Sequence, residues 1–468
     1  MNERVLRLWS TVRAPAALLL IAIAFSFAGA NVVRGRFAMG DFKAFYCSAK
    51  VTLAREDPYS AAPLARCEAI GAPAPLFVTN FPQVLPAPLP GYAIAAFVPF
   101  ALLPFPAACV AWLVALLAAT IAAIMLLSRT GLGDPWDLAI ALTLLVVATS
   151  FPMGELPPVA LFGIALCAWA VKHDRVWLVG IGIALSLFEP QIGAAVALCA
   201  IALGRRFAVA AVAALLALGV LSIAAVGIAG DLEYLRVVVP AHVLAELPSV
   251  LQYSLSWALF RLGMAPPLAM LLGRLSWVAM LCVSVWFARS PLARRRPEAA
   301  LLAAPAFAVV GGPFLHLDQI ALAVPAAVWL SVRSERAQWL RTAALIALCV
   351  PLLYVFSIIR LAAMLPLFAA WLGGAYGRSA IAGLRAALAA IVIAAGIAAI
   401  AVAAGTGSAA IAPLQTLPST LPQASWSAFV AAHYAMTGWS VWLVKAPMCF
   451  GILATAAGLV AAARSTAS

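Results

Sequence analysis

The sequence predicts an all-α protein that crosses a membrane many times. Of its 468 residues, 66% are hydrophobic and only 10% are charged, and the mean hydropathy is +1.08. A soluble domain is usually about 45–50% apolar and about 25% charged, so a soluble core cannot absorb this composition. The apolar runs also reach the roughly 20 residues that a membrane-spanning helix needs. Together these observations predict a polytopic integral membrane protein.

The basic residues lie in short segments between the apolar runs. The formal net charge of +13 would by itself suit a nucleic-acid-binding surface. However, lysine and arginine recur where apolar runs end, as in the cytoplasmic loops of membrane proteins. We therefore predict no nucleic-acid partner and an amino terminus in the cytoplasm. The clusters are Arg4, Arg7 and Arg13; Lys172 and Arg175; Arg205 and Arg206; Arg289 with Arg294, Arg295 and Arg296; Arg333, Arg336 and Arg341; Arg378 and Arg385; and Arg464.

The first apolar run, residues 14–33, is interpreted as an uncleaved first helix. Its basic flank and Ala28-Gly29-Ala30 resemble a cleavable signal peptide, but the run is long enough to span a membrane. It leads to a predicted first outer loop, 34–85. The proline-rich stretch 86–106 follows, either as a short span or as a re-entrant segment before a full span at 107–128. The charge rule favours the re-entrant interpretation.

The remaining apolar runs predict helices and helical hairpins. The whole chain, 1–468, is interpreted as one transmembrane domain of roughly 12–14 membrane segments. Two more outer loops are predicted at 230–256 and 405–436, and the outer loops would carry short helices. The predicted segments are 136–151, 156–171, 176–188, 190–203, 207–229, 257–288, 299–313, 319–332, 342–358, 361–376, 379–404 and 438–463.

Acidic residues and histidines concentrate on the predicted outer face. A carboxylate at a membrane boundary is costly unless it is hydrated, paired or functional. Because separate segments deliver these groups, the sequence predicts one convergent polar site, with Asp41 as its first member. On this face we place ten of the 16 carboxylates and three of the four histidines: Asp41, Glu56, Asp57, Glu68, Glu155, Glu189, Asp231, Glu233, Glu246, Asp318, His242, His316 and His433.

The eight cysteines show no metal-binding spacing. Six lie in apolar runs, where a free thiol behaves as a small hydrophobe. Cys47 and Cys67 both fall in the first outer loop, where an oxidising compartment would allow a disulfide. Spacing alone does not establish that two cysteines are close, so a disulfide and a pair of free thiols both stay open.

Short motifs follow one another in a characteristic order. They are GDFKAFYCSAKVTLAREDPYS, FPQVLPAPLP, Gly154-Glu155, Glu189-Pro190, QYSLSWALFRLG and GGPFLHLDQIALAVP. From about residue 38 to residue 332 this order resembles glycosyltransferase family 87, the polyprenyl-phosphate-mannose-dependent alpha-1,2-mannosyltransferase-like proteins of the GT-C superfamily. The chain departs from the family pattern where Phe81-Pro82-Gln83 replaces Tyr-Pro-Pro, Glu155 replaces glutamine and Glu189 replaces lysine.

The resemblance implies a GT-C-like helical bundle with hexosyltransferase activity. It implies transfer of a hexose, mannose in that family, from a polyprenyl-phosphate donor to a lipid-linked or envelope glycan acceptor, so membrane lipids and these two substrates are the expected partners. It assigns Asp41 as general base, places His316 in an outer hairpin, and places Gln252 and Ser254 near the donor or acceptor. The arginine- and alanine-rich composition suggests a bacterial cytoplasmic membrane, with the site facing the periplasm or exterior.

One positioned carboxylate is sufficient for this chemistry. It accepts the proton of the acceptor hydroxyl while the bond to phosphate breaks, which inverts the anomeric carbon. Fixed cations or donors would stabilise the departing phosphate. No cofactor is expected, and no metal, because the outer histidines lack ligand spacing. Besides the catalytic Asp41, the predicted substrate-binding residues are His316, Asp318, Glu155, Glu189, Gln252, Ser254, Lys43, Tyr46, Asp57, Tyr59 and Arg261.

Each assignment has a simpler alternative. Asp41 is also a favoured helix N-cap. Asp57-Pro58-Tyr59 is a common turn, and His316 with Asp318 would pair at the end of a hairpin. The alternative functions are a transporter of lipids or polyisoprenoid-linked sugars and a non-catalytic envelope-assembly scaffold. A transporter would usually show inverted repeats and deep charges, and here only Arg274 and Lys445 look deep.

Overall fold

The described part of the protein is a bundle of helices without a β-sheet. The computed structural model describes residues 39–69, 84–333, 338–349, 417–433 and 440–465, together with Thr11, Ala14, Pro15 and Leu18. In chain order the helices are α1 Gly40–Leu53, α2 Ala61–Glu68, α3 Gly91–Ala101, α4 Phe105–Arg129, α5 Pro135–Leu142 (continued by a π-helical stretch, Thr143–Ser150, and by Phe151–Met153), α6 Pro157–Lys172, α7 Val176–Ser186, α8 Pro190–Leu203, α9 Arg205–Glu233 (continued by a π-helical stretch, Tyr234–Val238), α10 Val239–Glu246, α11 Leu255–Arg261, α12 Pro266–Ala288, α13 Pro291–Arg295, α14 Pro297–Gly311, a 3₁₀ stretch Asp318–Ala323, α15 Val324–Arg333, α16 Gln338–Cys349, α17 Pro422–His433 and α18 Ser440–Ser465.

Helix length and hydropathy confirm the predicted polytopic membrane fold. Within the described ranges, four helices are long and apolar enough to cross a membrane: Phe105–Arg129, Arg205–Glu246, Pro266–Ala288 and Lys445–Ser465. Shorter apolar helices accompany them, including α7 with 11 residues and α8 with 14. An 11-residue helix covers about 16 Å, roughly half of a hydrocarbon core. The predicted 176–188 and 190–203 hairpin is therefore made of two short helices.

The proline-rich stretch enters the bundle as extended chain and then forms a short helix. Residues 84–90 lack regular structure, and the Leu85 N–H donates to the Glu68 carboxylate at 2.9 Å. Helix α3 follows with 11 residues, and α4 with 25. Because α3 is too short to span while α4 is long enough, this geometry favours the re-entrant interpretation.

Small residues allow two helices of the bundle to pack closely. A Cβ on Gly163 of α6 would lie 2.5 Å from the Gly182 carbonyl oxygen of α7, and a Cβ on Gly182 would lie 2.6 Å from the Cys167 sulfur. Glycine at such contacts lets helix backbones approach one another, which gives membrane helices much of their packing energy. Helices α6 and α7 therefore pack in close contact along the hairpin, and this packing positions the connections that flank it.

The connections between helices separate by charge into two ends of the bundle. At one end, Lys172 donates to the Thr130 carbonyl at 2.8 Å, and Arg206 pairs with Asp174 at 2.5 Å. We call this the basic end. The opposite connections hold Glu155, Glu189 and His316, three of the groups predicted to converge, and we call that the carboxylate end. Its connections are 154–156, 187–189, 247–254 and 312–317.

Some of the predicted segments lie outside the described residues. These are most of the first helix, 14–33, the spans 361–376 and 379–404, and parts of 342–358 and of the third outer loop, 405–436. Within that loop, α17 is described. The first and second predicted outer loops do contain helices, as expected: α1 and α2 in the first, and the end of α9 with α10 in the second.

Candidate active site at the carboxylate end

Asp41 lies in the first turn of α1 and does not cap it. The N-cap is Met39, whose φ of 24° is in the left-handed region, and no side chain hydrogen-bonds to the start of the helix. The Asp41 carboxylate instead shares a hydrogen bond with the carboxyl group of Glu155. The N-cap alternative for Asp41 therefore does not hold, and its side chain is available to the carboxylate end.

Gly154 determines how closely α1 approaches the turn that carries Glu155. It adopts a φ of 77°, and a Cβ at this position would lie 2.5 Å from the Cβ of Phe42. Its carbonyl accepts a hydrogen bond from the Trp112 indole at 2.9 Å, and Trp112 stacks on Phe42 with ring centroids 5.8 Å apart. Asp41 and Glu155 adjoin Phe42 and Gly154 in sequence, so this close contact brings the two carboxyl groups together.

The Asp41–Glu155 pair holds one proton. Burial raises the pKa of Asp41, whereas the hydrogen bond with Glu155 and the charge of His316 lower it. Burial and then the charge of Asp41 raise the pKa of Glu155 well above its usual range. Two carboxyl groups in contact do not both ionise readily, and the proton stays on the group with the higher pKa. Glu155 is therefore the donor, and Asp41 is the carboxylate that can act as a base.

His316 supplies the positive charge of the site. Its Nε2 lies 3.4 Å from Oε2 of Glu246. Burial alone would lower the pKa of His316, but the surrounding carboxylates, first that of Glu246, outweigh burial and raise the pKa to about 9. His316 is therefore protonated at neutral pH. Its ion pair is with Glu246, in addition to the charge interaction with Asp318 that the sequence suggested.

Glu246 belongs to the site although the sequence analysis did not select it for binding. It ends α10 and is 1% exposed. Its Oε1 accepts a hydrogen bond from the Trp426 indole of α17, so part of the third outer loop reaches the site. The available signals were the scarcity of acids and the position of His242 one helical turn earlier, on the same face.

Gln252 holds the segment that carries His316. The two residues form an antiparallel bridge pair, and Gln252 is 1% exposed. Its Oε1 accepts a hydrogen bond from the Leu315 N–H at 3.0 Å, and the Tyr253 N–H donates to the Leu315 carbonyl at 2.7 Å. The predicted role of Gln252 as a residue of the site thus corresponds, in its observed contacts, to support of the His316 segment.

Glu189 supports the same segment from another connection. It is 5% exposed, and its Oε2 accepts hydrogen bonds from Gln319 at 2.6 Å and from Gln191 at 3.2 Å. The Gln319 Oε1 accepts the His316 N–H at 2.9 Å. Burial, followed by the charge of Asp318, raises the pKa of Glu189 to about 8. The buried Glu189 carboxyl group is therefore paired with two glutamine side chains.

Three residues of the cluster have spacing that a metal ion could use. Glu155, His316 and Asp318 each place one ligand atom within 4.8 Å of the others. A histidine that binds a metal ion must be a neutral imidazole, so an ion here would have to displace the proton that the neighbouring carboxylates hold on His316. The residues fit a protonated hydrogen-bond network better than a metal site, and a metal-independent site remains our prediction.

Three predicted residues of the first outer loop lie outside the cluster around Asp41. The Tyr46 hydroxyl donates to the Leu103 carbonyl at 2.9 Å. Asp57 accepts the Tyr59 N–H at 2.9 Å, and the Tyr59 hydroxyl donates to the Leu89 carbonyl at 2.9 Å. These contacts fit the turn alternative for Asp57-Pro58-Tyr59. They stabilise the loop against α3, α4 and the extended chain.

Asp57 and Tyr59 also line a groove between the end of α1 and α9. Its volume is about 780 Å³. Charged side chains such as Arg55 and Glu233 form part of its lining, and apolar residues of α3 and α9, including Leu221, form the rest. The groove therefore gives these two residues a mixed environment that is separate from the carboxylate cluster.

The other predicted residues flank the cluster. Burial lowers the pKa of Lys43, which interacts with the charge of Glu68. The Ser254 hydroxyl accepts the Trp257 N–H at 3.2 Å and caps α11. Arg261 is the last residue of α11, close enough to Lys445 for their charges to interact. None of these contacts is with Asp41.

A disulfide bond joins Cys47 to Cys67. The Cα atoms lie 5.6 Å apart, and the other six cysteines are free. The sequence left open whether these two cysteines are free or paired, and in the structure they are paired. Because Cys47 is in α1 and Cys67 in α2, the bond ties the helix that carries Asp41 to its neighbour.

Part of the chain matches the model of a known protein family. Residues 90–317 match the model of Glycosyltransferase family 87. No curated protein and no solved structure matches the chain. Glu155, Glu189, Gln252 and His316 fall inside the matched residues, whereas Asp41 precedes them.

Proposed function

We propose that this chain, whose residues 90–317 match the model of Glycosyltransferase family 87, is a membrane glycosyltransferase that moves a hexose from a polyprenyl-phosphate donor to a hydroxyl acceptor. Mannose is the proposed sugar, because the family resemblance implies it. The proposed acceptor is a lipid-linked or envelope glycan. Asp41 is the proposed general base, and no metal or other cofactor is required.

The observation that carries this proposal is the arrangement of three ionisable groups in one cluster. Asp41 accepts a hydrogen bond from protonated Glu155, and the His316 cation acts on Asp41 through its charge. A base, a neutral donor and a cation are the groups that an inverting displacement on a sugar phosphate uses. Separate connections deliver them, which supports a functional site over an incidental surface cluster.

The reaction can be written with these groups alone. The acceptor hydroxyl gives its proton to Asp41, and its oxygen forms a bond to the anomeric carbon. The bond between that carbon and the phosphate oxygen breaks on the opposite side, and the polyprenyl phosphate leaves with the electron pair. The His316 imidazolium stabilises the charge on the departing phosphate. Attack opposite the leaving group inverts the anomeric configuration.

The charge distribution supports an outward-facing site in a cytoplasmic membrane. Lys172 and Arg206 lie at the basic end, with Arg294, Arg295 and Arg296 in the short connection that follows α12. Connections rich in lysine and arginine stay in the cytoplasm. The carboxylate end would then face the periplasm or exterior, where a lipid-linked sugar presents its head group.

Two observations favour an enzyme over the alternative functions. Glu189 bonds to Gln319 and Gln191, so the acid found there has a structural partner and does not by itself argue for an inactive scaffold. Of the two charged residues predicted to be deep, Arg274 is exposed on α12. The other, Lys445, is buried against two aromatic rings and a backbone carbonyl and is not open to a transport pathway.

The test replaces the Asp41 carboxylate with an amide, which has nearly the same shape but cannot act as a base. Membranes or purified protein carrying Asp41→Asn are supplied with radiolabelled polyprenyl-phosphate-mannose and an envelope lipid extract as acceptor. We expect at least about a 10²-fold loss of transfer, because general base catalysis contributes about 10²–10⁴-fold.

Asp57→Asn is the matched control, since it makes the same change in the same loop outside the cluster. It should transfer sugar at nearly the wild-type rate. Equal transfer by wild type and Asp41→Asn would contradict the assignment of the base. Absence of transfer by the wild type with each of several polyprenyl-phosphate hexoses would contradict the proposed reaction.

A further inference from the structure

A buried lysine lies beside the segment that carries His316. We propose that Lys445 is a positioning residue, which holds Gln252 and through it fixes His316 for catalysis. The inference rests on the proposed function, because it assigns a role in that reaction to a residue outside the matched family region. Lys445 lies in α18, more than a hundred residues beyond the matched range of 90–317.

The side chain of Lys445 is enclosed on several sides. It is 0% exposed. Its amino nitrogen lies 3.6 Å from the centroid of the Trp257 ring and 4.4 Å from that of Tyr253, and it donates a hydrogen bond to the Gln252 carbonyl. Within the described residues no carboxylate pairs with it. Its hydrogen-bond acceptor among the described residues is therefore a backbone oxygen.

That backbone oxygen belongs to Gln252, whose side chain hydrogen-bonds to the segment that carries His316. Gln252 receives Lys445 at its carbonyl and the Leu315 N–H at its side-chain oxygen, and it is bridge-paired with His316. A side chain that fixes Gln252 consequently fixes the backbone on both sides of His316. Lys445, Gln252 and His316 thus form a continuous set of contacts from α18 to the cluster.

The enclosure argues against direct contact with the substrate. Two aromatic rings and a carbonyl surround the amino group, and no surface of the residue is open to a phosphate. Contacts of the lysine head group with aromatic faces are stabilising, and more so when water is excluded. Burying an amine in a membrane protein is costly, and methionine would fill a similar volume without that cost. What lysine adds is the hydrogen bond to Gln252.

The first experiment follows the titration of His316 and needs no substrate. Protein with ¹³C- and ¹⁵N-labelled histidine is titrated in detergent or nanodiscs by NMR, and the His316 signal is assigned with His316→Gln. The chain has only four histidines, so the spectrum is simple. In wild type we expect the pKa of His316 near 9, which its carboxylate neighbours maintain.

In Lys445→Met the two possible roles shift this pKa in opposite directions. If Lys445 positions His316, its replacement separates His316 from Glu246. The pKa of His316 should then fall by about one unit or more towards its ordinary value of about 6.5. Loss of a nearby positive charge alone would raise the pKa or leave it unchanged. A fall supports the proposal, and an unchanged or raised pKa overturns it.

The second experiment measures transfer of mannose from polyprenyl-phosphate-mannose. For Lys445→Met we expect kcat to fall about 10²-fold, the effect of a misplacement near 1 Å, while KM for the donor changes little. Lys445→Arg should recover much of both kcat and the His316 pKa, because a guanidinium can stack on Trp257 and donate to the same carbonyl. A large rise in KM with unchanged kcat would overturn the positioning role.

Lys172→Met is the matched control. Lys172 also donates to a backbone carbonyl, that of Thr130, but at the basic end of the bundle. The Lys172→Met variant should keep the wild-type pKa of His316 and the wild-type kcat for mannose transfer. If Lys445→Met does not purify as folded protein, Lys445→Gln replaces it with the same expected and contradicting outcomes. If no variant or wild type transfers sugar, the proposed function fails, while the NMR titration still decides the position of His316.

Discussion

At the scale of single residues, the site is a small set of groups whose proton affinities differ because their neighbours differ. Glu155 keeps its proton, Asp41 carries the charge of the pair, and His316 remains a cation. Each state depends on a neighbour as much as on burial. Asp41 was recognisable in the sequence because acids are scarce and because the family resemblance points to it. Its hydrogen bond with Glu155 was not recognisable, because 114 residues separate them.

These proton affinities predict a bell-shaped dependence of transfer on pH. The rate should rise with pH as Asp41 loses its proton, and it should fall as His316 loses its own, with an apparent pKa of about 9. The measurement is kcat/KM for polyprenyl-phosphate-mannose between pH 5 and 10.

The descending limb should disappear in His316→Gln, with a lower rate throughout. Glu189, whose pKa is about 8, titrates in a nearby range, so Glu189→Gln serves as the comparison and should keep the descending limb. An unchanged limb in His316→Gln would show that another group controls it.

At the scale of elements, the site depends on how turns meet helices. The turn at Gly154 contacts α1 through Phe42, and the aromatic ring of Trp112 from α4 packs on the same residue. The hairpin turn itself was predicted from the sequence, as was the short hairpin with Glu189 at its tip. The contact between the turn and α1 could not be predicted, because it depends on the absence of a side chain at one position and on a ring supplied by another helix.

Gly154→Ala should separate α1 from this turn. The added Cβ would lie 2.5 Å from the Cβ of Phe42, and the alanine would have to adopt a φ of 77°. We expect a loss of stability of about 1–3 kcal/mol and a loss of transfer of about 10²-fold, because Asp41 and Glu155 would move apart. Thermal unfolding followed by size-exclusion fluorescence, together with the transfer assay, measures both effects.

The matched control is Gly219→Ala in α9, where no atom lies within 4 Å of the added Cβ. It should be neutral or slightly stabilising, since alanine is a better helix former than glycine. Equal activity of the Gly154→Ala and Gly219→Ala variants would mean that the close approach of α1 to the turn is not needed for catalysis.

At the scale of the whole molecule, charge distinguishes the two ends of the bundle. Basic connections meet through Lys172–Thr130 and Arg206–Asp174, and the acids and His316 meet at the other end. The sequence predicted this division well, because it follows from the alternation of apolar runs and charged connections. Most predicted segments in the described ranges correspond to helices, but the predicted segment 257–288 is divided into Leu255–Arg261 and Pro266–Ala288 at Gly263, whose φ is 91°. The predicted span 207–229 is part of a longer helix, Arg205–Glu246, which continues into the predicted second outer loop.

The proposed orientation predicts which positions a membrane-impermeant maleimide reaches in intact cells. In a variant whose six free cysteines are replaced by alanine, Ala62→Cys should be labelled from outside and Arg295→Cys only after lysis. Both positions are exposed, so accessibility reports the side of the membrane. The reverse pattern would place the carboxylate end in the cytoplasm and would contradict a periplasmic site.

The sequence alone is enough to predict the membrane class, the approximate positions of the helices and the division of charge between the ends. These properties depend on local composition and on the solvation of charged groups by water. Which polar groups meet, in contrast, depends on how the helices pack in three dimensions. Trp426 reaches Glu246 across 180 residues, and Lys445 reaches Gln252 across 193. Such contacts follow from how apolar helix faces pack against one another, and no short pattern in a chain that is apolar almost throughout specifies which faces those are.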